Sequence, residues 1–197
     1  MDALKLEIAA VAARLVVEEG LEFAAAKRRA VKHMALPQRT ALPDSSMVQA
    51  AVEDYIDEFC ADTQPVELRA LRLLALQWME RLQAFRPAIG GAVWHGSATR
   101  RSDMYLQLYC DDSKAAEIYL IDNGIRYQPA SVQGLHGDRV DALSVQVFSA
   151  DLKEFVGVHL LIYDFDDQRL VPKADARGRK LRGDAAALRQ LLEDNAP

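Results

Sequence analysis

Residues 91–112 read GAVWHGSATRRSDMYLQLYCDD, and this stretch decides the fold predicted for the second half of the chain. An apolar run enters a glycine-serine pair, two arginines follow, and Asp103 opens a second apolar run. Short apolar runs bounded by glycine, serine and aspartate are typical of strands joined by a turn. The sequence therefore predicts a strand over Gly91–His95, a Gly-Ser turn, and a second strand over Asp103–Cys110.

Upstream of this stretch, residues 1–86 predict helices and no strand. Apolar residues recur at helical spacing in the first helix, and Gly20 is placed to end it. Asp44, Ser45 and Ser46 are candidate N-caps of the third helix, and Thr63 is placed as the N-cap of the fourth. A proline and two glycines then break the helical pattern. We therefore expect a helical domain over residues 1–86 and a mixed domain over residues 87–197.

Downstream, two further apolar runs predict strands over Asp141–Ser149 and Val156–Tyr163. A helix is expected over Ser113–Asp122, where the following Asn-Gly pair suits a left-handed C-cap. Asp184 is placed to cap a last helix. A run of helices followed by strands and further helices is an α+β fold, here with a mixed sheet flanked by helices.

The composition is that of an ordinary globular chain: 197 residues, half of them hydrophobic, with a net charge of −5. An acidic chain lacks the general electrostatic footprint of a nucleic-acid-binding protein, so any such role depends on a local basic patch. One basic cluster consists of Lys27, Arg28, Arg29 and Lys32, which the sequence predicts to be a solvated helix face with paired charges. The other consists of Lys173, Arg177, Arg179, Lys180 and Arg182, predicted to be a solvated loop, with a lid or an RNA-phosphate contact as the alternative.

Location and redox chemistry follow from what the sequence lacks. Two cysteines without a CxxC spacing predict no disulfide framework, and four histidines without ligand spacing predict no zinc site. The first twenty residues carry charges throughout, unlike a signal peptide, and no apolar run reaches the roughly 20 residues of a membrane span. The sequence therefore predicts a cytoplasmic protein with no membrane partner.

The glycine-serine pair followed by an aspartate-bearing strand resembles the core of the nucleotidyltransferase superfamily, over roughly residues 87–164. The resemblance implies a nucleotidyltransferase-like mixed sheet and a nucleoside triphosphate as ligand. Gly96 and Ser97 would then hold the triphosphate, since glycine lets a phosphate approach the backbone and serine donates hydrogen bonds. Arg100 or Arg101 would add a charged fork to the phosphates.

The same resemblance implies a magnesium centre. Nucleotidyl transfer generally uses two magnesium ions held by carboxylates that converge on one face. Asp103 would be the catalytic metal ligand. The position two residues on, where the family has a second carboxylate, is Tyr105, whose neutral phenol is a poor magnesium ligand. A further carboxylate from a later strand would be Asp141 or Asp164.

Longer stretches of the chain resemble a group of proteobacterial nucleotidyltransferase-like proteins. They are AARLVVEEGLEFAAAKRRAV, LRALRLLALQWMERL and GGAVWHGSATRRSDMYLQLYCDDSKAAEIYLID. The resemblance implies an enzyme that moves a nucleoside monophosphate from a nucleoside triphosphate to an RNA, protein or small-molecule acceptor. Two alternatives stay open: a catalytically degenerate module that binds nucleotide or RNA, and an interaction protein whose helical half docks a partner.

Overall fold

The structure is a computed structural model that describes residues 2–134, 139–169, 174 and 178–194. The chain is α+β, as predicted, with helices throughout its first part and a six-stranded mixed sheet in its second. Contacts divide it into two compact units, Met1–Glu67 with Ser97–Ser102, and Leu68–Gly96 with Asp103–Pro197. We call them the helical unit and the sheet unit. The domain boundary near residue 87 stays a prediction.

Three helices build most of the helical unit: α1 (Asp2–Glu19), α2 (Phe23–His33) and α3 (Ser45–Phe59). α1 packs against both α2 and α3. Their apolar faces meet in a core that includes Ile8, Ala12, Leu15, Val48 and Val52, each at most 2% exposed.

The predicted ends of these helices are confirmed. Gly20 ends α1 with a left-handed φ of 70°, a conformation that costs glycine nothing. Asp44 caps α3, since its carboxylate accepts a hydrogen bond from the backbone N–H of Met47 at 2.9 Å.

The remaining elements are α4 (Gln64–Arg81), β1 (Ala88–Gly90), α5 (Gly91–His95), β2 (Met104–Cys110), α6 (Ala115–Asp122), β3 (Gln128–Gln133), β4 (Arg139–Ser149), β5 (Glu154–Asp164), β6 (Arg182–Gly183) and α7 (Ala185–Asp194). The strand order across the sheet is β3-β4-β5-β2-β1-β6. β2 pairs in parallel with β5, and the other described strand pairs are antiparallel.

The predicted strands corresponding to β2, β4 and β5 are confirmed, as are α6 and α7. Gly124 follows α6 with a left-handed φ of 64°, and the carboxylate of Asp184 accepts a hydrogen bond from the N–H of Ala187 at 2.8 Å. The short strands β1 and β6 and the strand β3 were not predicted.

The strand predicted over Gly91–His95 is wrong, because this segment is the short helix α5. The last carbonyls of a helix have no partner within it. Here the buried guanidinium of Arg72 donates hydrogen bonds to the carbonyls of Val93 and Trp94 at 3.0 and 3.3 Å. A side chain from α4 thus stabilises a helical turn that the local apolar pattern does not indicate.

The two faces of the sheet differ around β2 and β5. Alternate residues of a strand point to opposite faces. One face is fully buried and includes Met104, Leu106, Val158 and Leu160, each 0% exposed. The opposite face carries half-buried Tyr105 and His159, so polar chemistry on this part of the sheet is confined to one side.

No helix in the described ranges combines the length and apolar character that crossing a membrane requires.

Candidate functional site

The glycine-serine turn lies where the two units meet along the chain. Gly96 ends α5 with a left-handed φ of 97° and belongs to the sheet unit. Ser97 begins the segment Ser97–Ser102, which belongs to the helical unit and contains the exposed Arg100 and Arg101. The predicted phosphate-binding residues are thus divided between the two units.

Several polar groups of this segment already have partners inside the helical unit. Ser97 is only 7% exposed, and its hydroxyl accepts a hydrogen bond from the Gln49 amide at 3.0 Å. The backbone N–H of Arg100 donates to the carboxylate of Glu67 at 2.9 Å. An anionic group of the chain itself therefore occupies one N–H that a phosphate would use.

Asp103 lies at the entry of β2, in a cluster on the polar face of the sheet. Its Oδ1 accepts a hydrogen bond from the backbone N–H of Gly157 at 3.1 Å, and its Oδ2 lies 3.1 Å from Nε2 of His159. Nδ1 of His159 lies 2.8 Å from the hydroxyl oxygen of Ser144. The ring of Tyr105 stacks on the imidazole, with centroids 4.7 Å apart and planes 24° apart.

Sheet register explains why these residues meet. Ser144 on β4 is directly opposite His159 on β5, and Tyr105 on β2 is opposite the same histidine. Directly opposed side chains have Cβ atoms about 5 Å apart on one face. The three form a single row across neighbouring strands, and Asp103 reaches the row from the adjacent position.

The hydrogen bonds of the imidazole decide which tautomer its neutral form adopts. The hydrogen bond from His159 holds the pKa of the Asp103 carboxyl below its usual value, and the N–H of Gly157 acts in the same direction. An ionised carboxylate only accepts hydrogen bonds, so Nε2 carries the proton. In the neutral ring Nδ1 is then the acceptor, and the hydroxyl of Ser144 donates to it.

Gly157 leaves the space that Asp103 needs. A Cβ atom at position 157 would lie 2.5 Å from Oδ1 and 2.7 Å from Cγ of Asp103. Such contacts are far inside van der Waals separation, so any larger residue requires the carboxylate to move. The cluster around Asp103 therefore requires glycine at position 157.

The carboxylates predicted to bind magnesium, Asp103 with Asp141 or Asp164, do not converge. Asp103 lies beside Gly157, whereas Asp164 is seven residues further along β5, roughly 23 Å at about 3.3 Å per residue. Asp141 lies on β4, five rows along and two strands across from Asp103, which is roughly 19 Å at about 3.3 Å per row and about 4.8 Å per strand. The alternation of side chains also puts Asp141 and Asp164 on the face opposite to Asp103.

The residues around Asp103 do not fit a two-metal centre. The positions that could complete it on the neighbouring strand are Gly157 and His159, and both already bind the carboxylate. Across residues 2–134, 139–169, 174 and 178–194, no three histidine, cysteine, aspartate or glutamate side chains are grouped to hold a metal ion.

The basic residues of α2 divide into paired and unpaired members. The Lys27 ammonium donates to the carbonyl of Pro43 at 3.2 Å, and Arg29 forms an ion pair with Glu19 at 2.7 Å. Arg28 and Lys32 are exposed, and neither side chain forms a hydrogen bond or an ion pair with any residue in the described part of the chain. The paired face expected from the sequence therefore accounts for only half of the cluster.

Arg28 and Lys32 line two neighbouring cavities on the helical unit. One, of about 670 Å³, is also lined by Ala25, Arg29 and His33. The other, of about 630 Å³, lies between α2 and the segment that follows it, and is lined mainly by apolar and uncharged side chains: Val31, Ala35, Leu36, Gln38 and Leu42.

The second basic cluster is partly structural. Lys173 and Arg177 lie outside the described residues. Arg182 donates to the side chains of Gln107 and Tyr109, and burial lowers the pKa of its guanidinium. Arg182 is thus a half-buried residue whose guanidinium is engaged within the sheet unit.

Sequence reasoning identified Asp103 but missed its partners. Ser144, Gly157 and His159 are forty or more residues away along the chain. No motif links them, since their proximity depends on the pairing register of three strands. The sequence did offer one signal for these partners, the polar residues Ser144 and His159 within predicted apolar strands. A polar residue in a core strand needs a hydrogen-bond partner.

Comparisons with known proteins give little further identification. No family model matches the chain, and no curated protein matches it. Among solved structures, a cytoplasmic RNA terminal U-transferase is similar with a TM-score of 0.37 and 17% identity, over 60% of this chain and 38% of that one. The chain thus spans well under half the length of that protein. A likeness at this level does not identify a function.

Proposed function

We propose that the chain binds single-stranded nucleic acid through the exposed face of α2, as a module without metal-dependent nucleotidyl transfer at Asp103. The observation that supports this function best is the pair Arg28 and Lys32. The two cations lie one helical turn apart, so their side chains share a face. Both are unpaired within the described residues, in a chain whose net charge is −5.

The lining of the cavity at this face favours a single-stranded ligand. Phosphates are attracted to exposed arginine and lysine, and these contacts supply most of the sequence-independent affinity for a nucleic acid. Val31, Leu36 and Leu42 form an apolar wall beside the two cations. An unpaired strand can place a base against such a wall, whereas the bases of a duplex stay stacked inside it.

The transferase expectation receives less support from the geometry. Two-metal transfer requires carboxylates that converge, and both oxygens of Asp103 are engaged by Gly157 and His159 instead. The tyrosine at the second metal-ligand position stacks on the same histidine. These contacts favour the degenerate alternative that the sequence left open.

The test is fluorescence anisotropy with a labelled single-stranded 20-nucleotide RNA, titrated at several salt concentrations. The variant is Arg28→Gln/Lys32→Gln. Its control, Arg126→Gln/Lys153→Gln, removes the same charge from exposed positions in the sheet unit. The logarithm of affinity falls by about 0.7 per phosphate contact for each tenfold rise in salt, so losing two contacts reduces the slope by about 1.4. With the two affinities equal at 1 M salt, this change in slope makes the affinity of the variant about 60-fold lower at 50 mM salt.

Equal losses in the variant and its control would refute the α2 site. A DNA strand of the same sequence tests whether the sugar is read. Calorimetric titration with the four ribonucleoside triphosphates, with and without magnesium, tests the alternative function. Magnesium-dependent binding that disappears in Asp103→Asn would support nucleotidyl transfer in place of the proposed function.

A further inference from the structure

We propose that Ser144 is an activated nucleophile and that this face of the sheet hydrolyses carboxylic esters with an apolar acyl group. The inference is independent of nucleic-acid binding at α2. It starts from the unbroken chain of hydrogen bonds that links Gly157, Asp103, His159 and Ser144.

The order of donors along this chain is the one that activates a serine. The Gly157 N–H donates a hydrogen bond to the carboxylate, Nε2–H of His159 donates another to it, and the Ser144 hydroxyl donates to Nδ1 of His159 at 2.8 Å. A nucleophilic serine requires a base within hydrogen-bond reach and a third group that fixes the tautomer of that base. All three roles are filled, with the two ring nitrogens exchanged relative to the usual serine hydrolase arrangement.

The imidazole is held in place rather than free to rotate. Tyr105 stacks on one face of the ring, and the two nitrogens are bonded on opposite sides. The His159 side chain is 21% exposed and that of Asp103 is 47% exposed, so small solutes reach the cluster. Asp103 and Tyr105 are positioning residues, since neither touches the reacting carbonyl.

A separate feature of the same sheet face points to the acyl group. Phe148 and Phe155 are directly opposed on β4 and β5, and their rings contact edge to face with centroids 5.4 Å apart. They are 56% and 68% exposed. By the alternation of side chains they share the face of Ser144 and His159, four residues or roughly 13 Å away.

The Asp103 carboxylate covers Gly157, which occupies the intervening position on β5. On β4 the intervening position is the exposed Gln146, beside which an acyl chain bound at Ser144 would extend towards Phe148. The Gln146 amide follows Ser144 by two residues on the same face and is the side-chain donor assigned to the developing oxyanion.

The reaction balances with water as the only co-reactant. Oγ of Ser144 forms a bond to the ester carbonyl carbon as its proton moves to Nδ1 of His159. The bond from that carbon to the alkoxy oxygen breaks, and the alcohol leaves with the proton from Nδ1. Water then attacks the acyl-serine with the same base, and the carboxylic acid departs as the hydroxyl of Ser144 is restored.

The test is covalent labelling of the whole chain with a fluorophosphonate probe, followed by peptide mapping, and hydrolysis of p-nitrophenyl butyrate. We expect the probe on Ser144 and hydrolysis that is lost in Ser144→Ala. The exposed Ser113→Ala variant is the matched control and keeps both. Because the map is read on the unsubstituted chain, the result stands even if Ser144→Ala folds poorly.

Asp103→Asn separates activation from simple structure. The asparagine keeps an oxygen for Gly157, but its amide donates to Nε2, which reverses the tautomer and removes the acceptor for Ser144. We expect the labelling rate of Ser144 to fall about 100-fold or more. The thermal unfolding midpoint of the variant, measured in parallel, shows whether it is folded. The inference is overturned if Ser144 is labelled no faster than Ser113, or if a folded Asp103→Asn variant is labelled at the original rate.

Discussion

Replacing Gly157 by alanine tests the close approach on which the Asp103 cluster depends. The new Cβ would meet Oδ1 of Asp103 at 2.5 Å. The carboxylate must move, and it would lose its bonds to the Gly157 N–H and to His159. The backbone at position 157 is itself compatible with alanine, since its φ is not left-handed.

The expected magnitude follows from these two bonds. A hydrogen bond to a charged group contributes roughly 1.5–3 kcal/mol. Asp103 is about half-exposed, so solvent screening reduces the two together to about 1.5–3 kcal/mol. Alanine in a strand recovers roughly 0.5–1 kcal/mol relative to glycine. The net loss in free energy of unfolding is therefore about 1–2 kcal/mol.

The assay is urea unfolding followed by tryptophan fluorescence. Both tryptophans, Trp78 and Trp94, lie in the sheet unit, so the signal reports on the part of the chain that is changed. The control is the same substitution in an Asp103→Ala background, where no carboxylate remains to be displaced. There Gly157→Ala should be neutral or stabilising, and the cycle should give a coupling energy of about 1.5–3 kcal/mol. Equal destabilisation in both backgrounds would refute the steric reasoning.

Two further predictions concern the sheet unit. Burial lowers the pKa of the Arg72 guanidinium to about 10, so it is still charged at neutral pH when it donates to the carbonyls of Val93 and Trp94. Arg72→Met leaves both carbonyls unpaired and should cost about 2–4 kcal/mol in the same unfolding assay, and a loss under 0.5 kcal/mol would contradict this role. The folded-state pKa of Asp103 lies below its unfolded value of about 3.9, so its contribution is present above that pH and is lost as pH falls through the folded pKa. The stability difference between the original chain and Asp103→Asn should therefore shrink between pH 6 and pH 2.5, and a constant difference would show that the ionised carboxylate contributes nothing.

The helices of the helical unit could be predicted from the sequence because the residues that indicate them lie close together along the chain. The apolar spacing of α1, the left-handed glycine at position 20 and the Asp44 cap each involve residues within one or two turns of one another. The strands β2, β4 and β5 were readable for the same reason, as continuous apolar runs between turn residues.

The failures occur where a distant residue decides the local structure. The strand predicted at α5 was wrong because Arg72, about twenty residues earlier, donates hydrogen bonds to the terminal carbonyls of this helix. The carboxylates predicted to bind magnesium, Asp103 with Asp141 or Asp164, lie at separate places in the sheet, because spacing along the chain does not give the sheet position of a residue.

The sequence alone determined the α+β fold class, the bounds of most helices and long strands, and Asp103 as a residue of interest. Tertiary structure alone decided what surrounds Asp103. Pairing of β2 with β5 and of β5 with β4 brings Ser144, Gly157 and His159 to one carboxylate, and moves Asp141 and Asp164 to the other face. A slip of one residue in either pairing would reverse these faces, so strand register rather than local composition sets the chemistry of the site.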